Sequence, residues 1–214
     1  LLRGVPGVSL NSAGGISSLP AIRGLADDRL RIKIDGMDLV ASCPNHMNPA
    51  LSYIAPSNLG NLQVFAGITP VSVGGDSIGG TIIADSIAPE FAAPGAASIN
   101  KGEVGGFYRS NNDARGGNFS ATHGEEIFNI RYDGSYSKAN NYSAGGDFKS
   151  STSTGQLGNG SQLDEVASSA YETENHALGM AFKLGEDLLE LKLGYQHVPQ
   201  ELFANQRMDM TDNT

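Results

Sequence analysis

The sequence predicts a mainly β protein in two parts, and three observations carry that expectation. Glycine makes up 28 of the 214 residues, Trp is absent, and Ser and Asn are plentiful, a composition of strands and turns more than of helices. The first ninety residues hold short apolar runs punctuated by glycine. After residue 97 the runs lengthen and alternate polar with apolar residues, the period of a strand with one apolar face.

In chain order, Arg31-Ile32-Lys33-Ile34-Asp35-Gly36 alternates and ends in Asp-Gly, a turn signal. Pro56-Ser57-Asn58-Leu59 reads as a helix end or turn, with Ser57 a candidate cap. Asn61 to Phe65 alternates again. Gly74 to Ile83 is a glycine-rich loop running into a strand. It has neither the Lys nor the following helix of a phosphate-binding P-loop, so tight loop geometry is expected there instead. Pro89 to Ala97 is a Pro/Ala/Gly linker.

Beyond the linker, Val104, Gly106 and Tyr108 share one strand face. So do Phe128, Ile130, Tyr132 and Tyr136; then His176, Leu178, Met180, Phe182 and Leu184; then Leu189, Leu191, Leu193 and Tyr195. Each run is close to the ~9–11 residues that cross a bilayer as a tilted strand. Tyr136, Tyr142 and Tyr195 are expected near strand ends, as an interfacial aromatic girdle requires. Gly185-Glu186-Asp187 is a short turn, whereas Ser143 to Ser169 is a long polar connection. An outer-membrane barrel and a soluble β-sandwich both alternate in this way.

The formal net charge of −9, with 14 scattered basic residues, argues against nucleic acid, which needs a basic face. No segment approaches the ~20 apolar residues of a membrane helix. The opening Leu1-Leu2-Arg3-Gly4-Val5-Pro6-Gly7 does not read as a signal peptide. No nucleophile elbow, no His-Glu-x-x-His and no plausible triad order is read along the chain, so no enzyme is expected.

The chemistry concentrates at Cys43-Pro44-Asn45-His46-Met47, which holds the one cysteine of the chain. A thiol, an imidazole and a thioether stand within five positions; thiolate and thioether are soft donors that favour copper(I), and imidazole also accepts copper. Cys and Met serve as well for core filling. The polar turn Pro44-Asn45-His46 is an odd place to bury a Cys for packing alone. Met208 and Met210 form a second thioether pair far downstream.

Several of these runs together resemble the plug domain of TonB-dependent outer-membrane receptors. They are Val5-Pro6-Gly7-Val8, Ile22-Arg23-Gly24-Leu25, Asp28 to Met37, Val64-Phe65-Ala66-Gly67 and Ser72 to Ile82, in the order in which the family carries them. The resemblance covers about residues 1–87. It implies a plug, a small α+β domain, at 1–90, a linker at 91–97, and at 98–214 the first antiparallel strands of a transmembrane β-barrel, incomplete in this chain. It also implies the Gram-negative outer membrane as location, with outer-membrane lipid and the TonB energy-transducing complex as partners. Such barrels have ~22 strands, so the resemblance further implies a piece of a longer receptor.

Asp38 to Asp85 resembles the copper-receptor branch more closely. Cys43 and Met47 look like that branch's Cys-x-x-x-Met motif, which joins a His-x-Met pair from the barrel region. The best match for that pair is Met208-Asp209-Met210, with Met208 where His is expected. The implied ligand set is therefore Cys43, Met47, Met208 and Met210 around copper, Cu(I) favoured, with His46 and His197 as alternatives. The implied function is copper capture and uptake, gated by the plug. A siderophore or other metal-chelate receptor is the alternative. A copper electron-transfer protein is a second, disfavoured because His46 lies only three residues from Cys43.

Overall fold

In the computed structural model, residues 2–12, 15–16, 18–39, 48–74, 77–148 and 162–202 are described. The chain divides into two compact units, Leu1–Ile87 and Ala88–Thr214.

The first unit is built from two small sheets. After a 3-10 turn at Leu2–Gly4, β1 (Val8–Ser12), β2 (Ser18–Ile22) and β3 (Leu25–Ala26) form an antiparallel meander. Next come β4 (Leu30–Ile34), β5 (Met37–Asp38), β6 (Leu59–Ala66) and β7 (Gly80–Ser86), with the order β5-β4-β7-β6. β4 and β7 run parallel and the other pairs antiparallel. The Asp-Gly signal makes the β4–β5 turn: Asp35 and Gly36 both take left-handed backbone, at φ 50° and 78°.

The core of this unit is aliphatic. Leu2, Ile22, Leu30 and Ile82 are buried and packed on by Val8, Leu10, Ile32, Leu62 and Val64. Ile82 is fully enclosed, beside Ile32 on one strand and Val64 on the other. Each such side chain contributes about 1.5–3 kcal/mol by leaving water. Gly80 lets the two sheets close up: its φ is +137°, and a Cβ there would run into the Phe65 carbonyl and stand 3.1 Å from Ile22 Cδ1.

Helical structure among the described residues of this unit is confined to 3-10 turns, including Ala50–Tyr53 and Pro56–Asn58. The expectation that Ser57 caps a helix is corrected. Pro56 occupies the first helical position, Ala55 precedes it, and no side chain caps the turn. Proline starts the turn through its fixed φ and its missing N–H.

The second unit is one antiparallel sheet. Its strands are β8 (Ile99–Arg109), β9 (Ala114–Gly124), β10 (Phe128–Ala139), β13 (Tyr171–Leu184) and β14 (Asp187–Glu201), in the order β14-β13-β10-β9-β8. A short pair, β11 (Tyr142–Ser143) and β12 (Glu165–Val166), sits in the long connection. The connections alternate: Leu184 pairs with Asp187 across a tight turn with Gly185 at φ 73°, and the β10–β13 connection is long.

The two faces of this sheet differ in a way that alternation alone does not reveal. On the apolar face, Phe119, Tyr132, Tyr136 and Phe182 of the inner strands are exposed, as are Leu189, Leu191 and Leu193 of β14, an edge strand open on both faces. On the polar face, Ser120, Thr122, Asn129, Asp133 and Thr173 are buried. Arg131 grips Asp133 with two bonds (Nε–Oδ2 2.7 Å, Nη2–Oδ1 2.8 Å) and donates to Thr122 Oγ1 at 2.9 Å. Gln196 donates to Asn175 Oδ1, and Asn175 to Thr173 Oγ1. Buried polar groups opposite exposed apolar ones invert the rule for a water-soluble sheet.

Two aromatic expectations change in detail. Tyr195 stands inside β14, which runs on to Glu201, and Tyr136 stands inside β10. The strands continue past the aromatic level into a charged rim, where Lys138 pairs with Glu172 at 2.7 Å and Tyr136 donates to the same carboxylate at 2.8 Å.

Candidate metal centre

Cys43, His46 and Met47 lie outside the described residues, as do Met208 and Met210. What is described is how the Cys43 segment is held at its two ends. On the upstream side, β5 is fixed by Arg31, whose Nε and Nη2 donate to Asp38 Oδ1 and Oδ2, both at 2.6 Å. That paired bonding, with the guanidinium charge, holds the exposed Asp38 carboxyl below its ordinary value. The turn below is tied to the far end of β7: Asp35 Oδ1 accepts from the N–H of Ser86 at 2.9 Å and from its hydroxyl at 2.7 Å. On the downstream side, Ser52 donates from both N–H (2.8 Å) and Oγ (2.7 Å) to the Pro49 carbonyl, and Ala50 is buried. The described residues on either side of 40–47 thus belong to two short, well-bonded elements of the first unit.

Met37, the methionine upstream of that segment, is exposed in β5. His197, the alternative ligand, lies in β14, opposite Glu174 in the register, with its ring beside Tyr195. His176 has both ring nitrogens engaged, Nδ1 with Tyr132 Oη at 2.6 Å and Nε2 with Glu174 Oε1 at 2.8 Å. Among the described residues, no group of three His, Cys, Asp or Glu side chains is placed to hold a metal ion.

The described residues of the glycine-rich loop before β7 are packed on by side chains of β4 and by one another. Gly74, at φ +114°, lies so close to the Arg31 guanidinium that a Cβ would stand 2.8 Å from Arg31 Cζ. Lys33 Nζ donates to the Val73 carbonyl at 3.3 Å. The hydroxyls of Thr69, Ser77 and Thr81 form a triangle with sides of 2.9, 3.0 and 3.3 Å. The reading of no nucleophile elbow needs one correction: Gly75-Asp76-Ser77-Ile78-Gly79 does have Gly-x-Ser-x-Gly spacing. A nucleophile elbow joins a strand to a helix, whereas here the motif leads into strand β7, and the Ser77 hydroxyl is engaged by two threonines.

Residues 1–81 match the family described as TonB-dependent Receptor Plug Domain. Comparison with the curated proteins gives no match. Among solved structures, the chain is similar to the copper transporter OprC, at 26% identity and a TM-score of 0.72, over 95% of this chain and 28% of that one. It is similar in fold to the FrpB iron transporter of Neisseria meningitidis (19% identity, TM-score 0.64, over 91% of this chain and 28% of that one). The siderophore receptor PirA of Acinetobacter baumannii is likewise similar in fold (14% identity, TM-score 0.63, over 92% and 29%). The chain therefore spans under a third of the length of these structures. Residues 1–81 thus match a TonB-dependent receptor plug domain, and the antiparallel strands after them are similar in fold to the corresponding part of the OprC structure.

Proposed function

We propose that this chain is part of an outer-membrane receptor that captures copper and passes it inward through a plug-gated barrel energised by TonB. The observation that carries the membrane part is the inverted polarity of the five-stranded sheet, with leucines on its exposed face and a bonded polar network on the other. Copper rests on the donor chemistry of Cys43 and Met47, on the Met208 and Met210 pair, and on the similarity to a copper transporter at 26% identity. A thiolate with thioethers offers few hard oxygen donors, so it selects copper over calcium or magnesium.

In this reading Cys43 binds as thiolate and Met47 as thioether from the plug, and Met208 and Met210 close the site. Binding releases the thiol proton, so affinity falls as pH falls. Coupling of cargo to transport requires two plug states that differ in affinity for the ion.

The test is copper content. The full receptor is expressed and its copper measured by mass spectrometry, alone and as Cys43→Ala and Met47→Ala. Both variants are expected to lose most bound copper; unchanged content in both removes the metal reading. An iron chelate is the competing cargo, favoured by the likeness in fold to FrpB and PirA. Binding measured side by side with copper and with ferric chelates separates the two.

A further inference from the structure

The chain leaves the first unit and enters the second within a few residues, and its anchoring changes hands there. Ile87 belongs to the first unit: its N–H donates to the Asn58 carbonyl at 3.1 Å. Its backbone rests on Gly60, where a Cβ would stand 2.8 Å from Ile87 Cα. Glu90 belongs to the second unit: its carbonyl accepts from Asn129 Nδ2 at 2.7 Å and its carboxylate pairs with Lys101. That carbonyl fills the space a Cβ on Gly124 would need. Just beyond, the Lys183 ammonium lies 4.3 Å from the centre of the Phe91 ring, and the Ala92 N–H donates to the Glu125 carbonyl at 3.0 Å. Neither Gly60 nor Gly124 has a positive φ, so at both positions close approach of another backbone, not dihedral freedom, demands glycine.

Between the two seats stand Ala88 and Pro89. Among the described residues neither makes a backbone hydrogen bond. We propose that Ala88-Pro89 is the joint of this receptor: the Ile87 seat moves with the plug, and the Glu90–Ala92 seat stays with the sheet. Pro89 fixes its own φ and confines Ala88 to extended backbone, so the joint is stiff. Two extended residues reach about 7 Å at most. Separation of the two seats beyond that reach therefore has to break one of them. The purpose assigned to the joint rests on the transport reading above; the two seats are tested without cargo.

The experiment is residue-resolved amide hydrogen exchange on the full receptor. Ala88 is expected to exchange at least about tenfold faster than Ile87 and Ala92, because both of those amides are bonded. Gly124→Ala is expected to speed Ala92 roughly tenfold and leave Ile87 unchanged, and Gly60→Ala the reverse. Equal protection at Ala88 and Ala92 overturns the proposal, and so does loosening of both seats by either single substitution. Where a glycine variant does not assemble, Asn129→Ala serves for the sheet seat: faster exchange at Ala92 alone supports the joint, and an unchanged Ala92 overturns it.

Discussion

The two units are made of the same material and bury opposite kinds of side chain. The first hides Ile22, Leu30 and Ile82 in an aliphatic core, as a small domain in water does. The second turns Leu189, Leu191 and Leu193 outward and buries Asn129, Asp133 and Thr122. Both are β-sheets with period-2 strands. Alternation therefore says that a sheet has two chemically different faces, and burial says which face is covered. The polar face is tenable because its groups bond one another, Arg131 to Asp133 above all; a buried charge without such a partner costs several kcal/mol.

The comparison is broken most strongly in the first unit. Ile82→Ala removes a fully enclosed side chain and is expected to cost about 2–5 kcal/mol. Urea unfolding followed by amide protection at Ile22 and Leu30 reads that cost; an effect below about 1 kcal/mol means that Ile82 is not the centre of this core. On the second unit, Leu191→Arg is expected to cost roughly 2–4 kcal/mol when folding is measured in lipid vesicles. A surface facing water would tolerate the same change almost without effect, so a neutral result sinks the lipid-facing assignment.

The smallest effect concerns pH. The folded-state pKa of Asp38 is lowered by its bonds to Arg31, so its contribution is complete above the unfolded carboxyl value of about 3.9 and is lost as pH falls through the lower folded value. Amide protection of β5 is thus expected to hold down to about pH 4 and to weaken below it. In Asp38→Asn it should be weaker at neutral pH and show no such acid step. An identical acid profile in both proteins separates the Arg31–Asp38 pair from the stability of β5.

Much of this fold was legible in the residues, and the gaps have physical causes. Long strands with large apolar side chains, such as Leu189 to Tyr195, announce themselves. β9 does not: Arg115, Gly117, Phe119, Ala121 and His123 share the face that elsewhere carries leucines, so its alternation is too faint to read. It is recruited by its neighbours, pairing along its length with β8 and β10. The start of β8 at Ile99 is hidden in the same way by Lys101 and Gly102. The Pro/Ala/Gly composition at Pro89 to Ala97 suggested a spacer, yet Glu90 to Ala92 are bonded to the sheet through carbonyls and a ring that composition does not display. The candidate metal donors were legible as donor chemistry alone. Whether Cys43, Met47, Met208 and Met210 converge depends on long-range placement that spacing does not encode.

The Thr69–Ser77–Thr81 triangle has a consequence for the crossing before β7. A hydroxyl can both give and accept, so three contacts among three hydroxyls can be met without a charged partner. A latch of that kind is indifferent to acidity and ionic strength. The Arg31–Asp38 clasp, in the same unit, answers to both.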